Sequence, residues 1–147
     1  MEPKKILLVE DSPEDQESIL MAFEDSRIAN EFVILSDGAQ ALDYLHGRGE
    51  YAERDVTDTP LLVLLDLKLP KVNGLEVLQN LRANALTSRV PVVILTSTDE
   101  EQDILASYRG CVTSYVRKPV DFQQFTEAVK QLKLYWLIMN GTSPDVK

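Results

Sequence analysis

Apolar residues in this chain collect into short unbroken runs, and between the runs they recur every three or four positions. The runs are Ile6-Leu7-Leu8-Val9, Phe32-Val33-Ile34-Leu35, Leu61-Leu62-Val63-Leu64-Leu65 and Pro91-Val92-Val93-Ile94-Leu95. Four or five apolar residues bounded by polar or turn residues suit a strand covered on both faces, as in a parallel sheet. After the first run, Ser12-Pro13-Glu14-Asp15 offers an N-cap serine, a proline at the first helical position and acids in the first turn, ahead of Ile19, Leu20 and Phe23. Asp37-Gly38-Ala39-Gln40 opens a helix with Ala41, Leu42 and Leu45 on one face. A third helix carries Leu75, Leu78 and Leu81, following the turn-rich Leu67 to Gly74. Asp99 is read as the cap of a fourth, with Ile104, Leu105 and Tyr108, which Gly110 stops. Ser114-Tyr115-Val116 makes a short fifth strand, and Asp121 caps a last helix with Phe122, Phe125, Val129, Leu132 and Trp136 near the helical period.

Five β-α units in succession predict an α/β fold. Parallel neighbours need right-handed crossovers, and these place helices on both faces when the strand order reverses once. The expectation is a five-stranded, doubly wound parallel sheet of order 2-1-3-4-5, in which strands 1 and 3 flank the switch point. Ligands in such sheets sit outside the carboxyl ends of the strands. The first strand delivers Glu10 and Asp11 to that edge, and the third delivers Asp66.

Three carboxylates brought together repel one another, and a cation is the cheapest way to keep them ionised. Oxygen donors in small number, with room for water, suit magnesium. The pattern therefore points to a metal-dependent site that handles phosphate.

Composition narrows the function classes. At 147 residues, 44% of them hydrophobic, the chain can build one ordinary globular core. With 15 basic against 24 acidic residues the net charge is −9, and no basic stripe offsets it, which argues against nucleic acid as a partner. Cys111 is the lone cysteine and is read as a small buried residue; His46 is read as a loop residue. No apolar stretch approaches the roughly 20 residues of a membrane span, and the start Met1-Glu2-Pro3-Lys4-Lys5 is unlike a signal sequence, so a cytoplasmic protein without membrane contact is expected. The stretch from His46 to Pro60 is a long polar connection, either a working surface loop or a tolerated insertion.

Five motifs stand in order on these strand ends: Val9-Glu10-Asp11-Ser12, Leu65-Asp66-Leu67-Lys68-Leu69-Pro70 with Asn73-Gly74, Leu95-Thr96-Ser97, and Tyr115-Val116-Arg117 followed by Lys118-Pro119. Together they resemble the signature of bacterial response-regulator receiver domains, across roughly residues 5 to 135. The resemblance implies a flavodoxin-like receiver fold and a single-domain regulator of a two-component phosphorelay. It implies that Asp66 accepts a phosphoryl group from a histidine kinase, that Glu10, Asp11, Asp66 and the Lys68 backbone carbonyl hold Mg²⁺, and that Lys118 supplies a fixed positive charge. Thr96 would give its hydroxyl to the phosphoryl group and Tyr115 would follow as a switch, rotating from exposed to buried. Such a protein is a phosphoacceptor that catalyses its own phosphorylation and slow dephosphorylation, and not an enzyme acting on other substrates. The long loop, Ser114 to Pro119 and the apolar C-terminal arm are similar, more narrowly, to the single-domain regulators partnered with bacterial phytochrome kinases.

The expected organisation is a receiver domain over residues 1–135, with residues 136–147 as an arm that extends the last helix into a short tail. Tyr135, Trp136, Leu137 and Ile138 lie in a segment apolar all round, more than a helix on a sheet can bury, which predicts a homodimer interface. An unknown downstream protein would receive the signal, and the kinase would dock around Ile19 and Phe23. Two other readings stand beside this one. A receiver-shaped binding module could act without phosphorylation, although such proteins usually lose one of Glu10, Asp11, Asp66, Thr96 and Lys118. A dehalogenase-like phosphatase would need an acid two residues after its nucleophile, where this chain has Lys68. Lys68 and Thr98 border the expected water route to the phosphoryl group, so slow loss of phosphate is expected.

Overall fold

The computed structural model describes residues 5–25, 31–101 and 114–118, together with Gln123 and Glu127. Its elements are β1 (Ile6–Val9), α1 (Pro13–Asp25), β2 (Phe32–Leu35), α2 (Gly38–His46), a 3-10 turn (Gly49–Tyr51), β3 (Leu62–Asp66), α3 (Gly74–Ala83), β4 (Val92–Thr96) and β5 (Ser114–Arg117). The strands form one parallel sheet of order β2-β1-β3-β4-β5, as the alternation of elements predicted. Ile104, Leu105, Tyr108, Cys111, Phe122 and the arm from Tyr135 to Ile138 lie outside the described residues.

Because successive strand residues point to opposite faces, each apolar run feeds two cores. Leu7, Val9, Val63, Leu65, Val92 and Ile94 pack with Ala41, Leu42 and Leu45 of α2 and Val77, Leu78 and Leu81 of α3. Ile6, Leu8, Leu62, Leu64, Val93 and Leu95 pack on the other face with Ile19 of α1. Each such side chain taken from water contributes about 1.5–3 kcal/mol, which is why unbroken apolar runs and not alternating ones mark these strands.

Local signals set the helix starts. The Asp15 N–H donates to Ser12 Oγ at 3.3 Å, the Gln40 N–H to Asp37 Oδ1 at 2.7 Å and the Glu76 N–H to Asn73 Oδ1 at 3.0 Å. The fourth helix departs from expectation: residues 99–101 are already helical, and the cap is Thr98, whose Oγ1 accepts the Glu101 N–H at 3.2 Å. Asp99 instead pairs with Arg117. His46 is the last residue of α2 and not part of the loop, with Nδ1 3.4 Å from Asn84 Nδ2. Gly47, at φ 68°, ends α2 in the left-handed region that glycine enters without strain.

The connection after α2 is pinned to the domain. The Arg54 guanidinium stacks 4.0 Å over the Tyr44 ring, donates to the Tyr44 carbonyl at 3.0 Å and to the Asp58 carbonyl at 2.6 Å, while Tyr51 meets Tyr44 edge-on at 5.2 Å. Among the described residues no helix is long and apolar enough to cross a membrane.

Candidate functional site

The carboxyl edge of the sheet is built by strand ends that run one residue further than the apolar runs. Asp66 is the last residue of β3, in register with Leu95, and Thr96 is the last of β4, in register with Arg117. Both therefore stand on backbone fixed by the sheet ladder. The Lys118 N–H donates to the Thr96 carbonyl at 2.6 Å, which carries the β4-β5 pairing one step further and sets the origin of the lysine side chain.

The chain also turns tightly beneath Asp66. The Gly74 N–H donates to the Leu67 carbonyl at 2.9 Å, so residues 67–73 close back onto the strand end. A Cβ at Gly74 would overlap the Asp66 carbonyl oxygen and stand 2.6 Å from Leu67 Cα, so only glycine lets α3 start there. Within this turn Lys71 holds φ 69°, a left-handed backbone unusual for a residue with a side chain.

Glu10, Asp11 and Asp66 converge, each offering a carboxylate oxygen within 4.8 Å of the others. Glu10 is fully buried, Asp66 nearly so, and Asp11 is exposed. Glu10 is held on three sides. Its N–H donates to the Leu35 carbonyl at 3.0 Å, its carbonyl accepts Gln16 Nε2 at 2.6 Å, and its Oε2 accepts the Ser12 N–H at 3.1 Å.

Lys118 reaches into the acids. Its Nζ lies 2.8 Å from Glu10 Oε1, 3.0 Å from Asp15 Oδ2 and 3.0 Å from Asp66 Oδ2, with a side chain only 13% exposed. The Asp15 and Asp66 contacts are hydrogen bonds. The Glu10 contact is an ion pair at angles that do not make a hydrogen bond, so buried Oε1 has no hydrogen-bond partner among the described residues. The second Asp66 oxygen, Oδ1, accepts the Lys68 N–H at 3.2 Å.

One ammonium among four carboxylates leaves an excess of negative charge. Burial, reinforced by the charge of Asp66, pushes the Glu10 carboxyl up to about 7, although Lys118 and the Ser12 N–H pull the other way. Burial alone would lower Lys118, but Glu10, Asp15 and Asp66 outweigh it and hold the ammonium above the ordinary lysine range.

A hard divalent cation fits this donor set. Oxygens opposite one another on such an ion at about 2.1 Å stand about 4.2 Å apart, close to the spread seen here, and Glu10 Oε1 is buried without a hydrogen bond. Thr96 Oγ1 is likewise buried with no partner among the described residues, whereas Tyr115 on β5 is 48% exposed.

Two residues of the site escaped the sequence reading. Asp15 is the third carboxylate on Lys118, and its position in the first turn after Glu10-Asp11, over the same sheet edge, was the available signal. Glu101 is a buried acid whose Oε1 accepts the Ser97 N–H at 2.6 Å and whose Oε2 lies 3.4 Å from Lys68 Nζ; Thr98-x-x-Glu101 is a capping pattern that announces it. One expectation is overturned. Ile19 is fully buried in the sheet core and offers nothing to a docking kinase, the Phe23 side chain lies outside the described residues, and among the described side chains of α1 the exposed large apolar one is Met21.

A parallel sheet of this order with an acidic triad and a lysine at its carboxyl edge defines a receiver-type α/β domain. Residues 6–130 match the response regulator receiver domain, and the chain belongs to that family. Its fold is the flavodoxin-like receiver fold, and its members act in two-component signalling. The chain is 39% identical to response regulator Rcp1 of Synechocystis sp. over 135 residues, which cover 92% of this chain and 90% of the relative. Among solved structures it is similar to the bacteriophytochrome response regulator RtBRR, with a TM-score of 0.84 at 49% identity over 98% of this chain and 86% of that one. The Mn²⁺-bound form of Rcp1 gives a TM-score of 0.74 at 39% identity, over 92% of this chain and 95% of that one.

Proposed function

We propose that this protein is a single-domain response regulator that accepts a phosphoryl group from a histidine kinase on Asp66, with Mg²⁺, and signals by protein contact. One observation carries the reading: Asp66 presents Oδ2 to Lys118 Nζ at 3.0 Å, and its carboxylate offers an oxygen within 4.8 Å of oxygens of Glu10 and Asp11. Glu10, Asp11, Asp66 and the Lys68 carbonyl would hold the metal. Bound there, Mg²⁺ supplies positive charge against the phosphoryl oxygens.

An Asp66 oxygen attacks phosphorus, an O–P bond forms, and the N–P bond of the kinase phosphohistidine breaks with its electron pair returning to the imidazole, which takes up a proton. Lys118 is already charged and in place, so it steadies the developing charge without rearrangement. Thr96, whose buried hydroxyl has no hydrogen-bond partner among the described residues, donates it to a phosphoryl oxygen, and Tyr115 moves inward after it. Lys68, two residues past the acceptor, borders the route of attacking water and slows it, giving an acyl phosphate that lasts many minutes. The name of RtBRR and the likeness to it support a bacterial phytochrome as the kinase, in the cytoplasm. Residues 136–147 extend the receiver as an arm, and Tyr135 to Ile138 join two copies.

The test is incubation with acetyl phosphate and Mg²⁺ followed by intact-mass measurement. A stable gain of one phosphoryl group, abolished in Asp66→Asn, is expected. An unchanged mass would favour a binding module that works without phosphorylation. For the arm, sedimentation of wild type against Trp136→Ala should show a dimer lost in the variant; a monomeric wild type at tens of micromolar refutes it.

A further inference from the structure

Glu101 has no part in the chemistry above, yet it is among the most buried acids described, with a side chain 6% exposed. Burying a carboxylate is unfavourable unless donors compensate it, and Glu101 has two. The Ser97 N–H donates to Oε1 at 2.6 Å, and Lys68 Nζ stands 3.4 Å from Oε2, too distant for a strong hydrogen bond. Oε2 is buried with no hydrogen-bond partner among the described residues, so the carboxylate is held at one end and only half satisfied at the other.

Both donors lie just past neighbouring strand ends at one edge of the sheet, β3 being paired with β4. Lys68 lies two residues after Asp66, and its own N–H already donates to Asp66 Oδ1. Ser97 follows Thr96, whose hydroxyl has no hydrogen-bond partner among the described residues. A phosphoryl group carries a charge of about −1.5 to −2 and three strong acceptor oxygens. Placed on Asp66, it would draw on a lysine ammonium and a backbone N–H, the two groups that Glu101 now engages.

We propose that Glu101 is a positioning residue that stands in for the phosphoryl group in the resting protein. Its carboxylate occupies the Ser97 N–H and Lys68, and so holds residues 97–98 in the unphosphorylated arrangement. Phosphorylation displaces it by competing for the same donors and by repelling its charge. Thr98 ties this event to the start of the following helix, because its Oγ1 caps the Glu101 N–H at 3.2 Å. The proposal rests on Asp66 as the phosphoacceptor.

The sign of one measurement separates competition from simple support. Beryllium trifluoride with Mg²⁺ serves as a tetrahedral phosphoryl stand-in, and its Kd is measured for wild type, Glu101→Ala, Glu101→Gln, Lys68→Ala and the double variant, each first shown folded by circular dichroism. Removing a competing carboxylate should tighten binding by at least about five-fold, the low end of ordinary coupling between sites. Glu101→Gln keeps an acceptor for Ser97 but loses the charge, so its Kd should fall between wild type and Glu101→Ala. Lys68→Ala should weaken binding, and the gain from Glu101→Ala should shrink in its presence. In the unliganded protein the Ser97 amide proton should shift upfield in Glu101→Ala. Kd values equal to or weaker than wild type in both Glu101 variants overturn the proposal, because a merely supporting residue loosens the site when lost. A wild type that takes no phosphoryl group from acetyl phosphate overturns the acceptor reading and this proposal together.

Discussion

Asp11→Asn tests the electrostatics of the site with the least change of shape. Asp11 is exposed, has an oxygen within 4.8 Å of oxygens from Glu10 and Asp66, and is not among the carboxylates that pair with Lys118, which contacts Glu10, Asp15 and Asp66. In the metal-free protein its charge is therefore chiefly repelled. At 4.8 Å and the dielectric of water, each like-charge pair is unfavourable by about 0.9 kcal/mol. Two pairs give about 1–2 kcal/mol, the smaller figure applying where Glu10 is partly protonated. Neutralising Asp11 should raise stability in EDTA by that amount, seen as a higher urea midpoint with unchanged slope. With Mg²⁺ the order should reverse. At a thousandfold excess of metal over its Kd the wild type gains about 4.1 kcal/mol, more than the variant's advantage in EDTA, whereas the variant, with one carboxylate ligand fewer, gains much less. A variant less stable than wild type in EDTA, or one that keeps the full Mg²⁺ gain, would refute the reasoning.

Gly74→Ala should destabilise the domain by about 3 kcal/mol, since the added Cβ has to push against strand backbone that cannot yield cheaply; denaturation of the variant checks it, and a loss under about 1 kcal/mol contradicts the turn geometry. For pH, the Glu10 carboxyl sits at about 7 in the folded protein against 4.5 for an ordinary glutamate. Its folded value is the higher one, so it favours the metal-free fold below about pH 4.5 and that contribution is lost as pH rises through about 7. Metal binding runs the opposite way, because the ligand must be ionised; calorimetric Mg²⁺ affinity should climb between pH 6 and pH 8 and then level off. Lys118→Met should leave Mg²⁺ bound but slow phosphorylation by acetyl phosphate by about a hundredfold or more, in line with the loss of one preorganised charge, and an unchanged rate would remove Lys118 from the mechanism.

The linear chain carried the architecture and most of the chemistry. Runs such as Leu62 to Leu65 can satisfy their apolar side chains only between two layers of helix, and that requirement leads to a parallel sheet, to crossovers, and to acids at the switch point. Capping signals at Ser12 and Asp37 are local and were equally legible, because a cap needs only neighbours three residues away. Reading failed where the deciding contact is distant in sequence. Ile19 looked available on a helix but is claimed by the sheet, Asp15 looked like a first-turn acid but meets Lys118, and Glu101 went unread because its partner Lys68 reaches it only from the far side of the β3-β4 edge. Which donor answers which acid depends on how far apart two strand ends come to rest. That distance is set by packing across the whole domain, and no stretch of neighbouring residues encodes it.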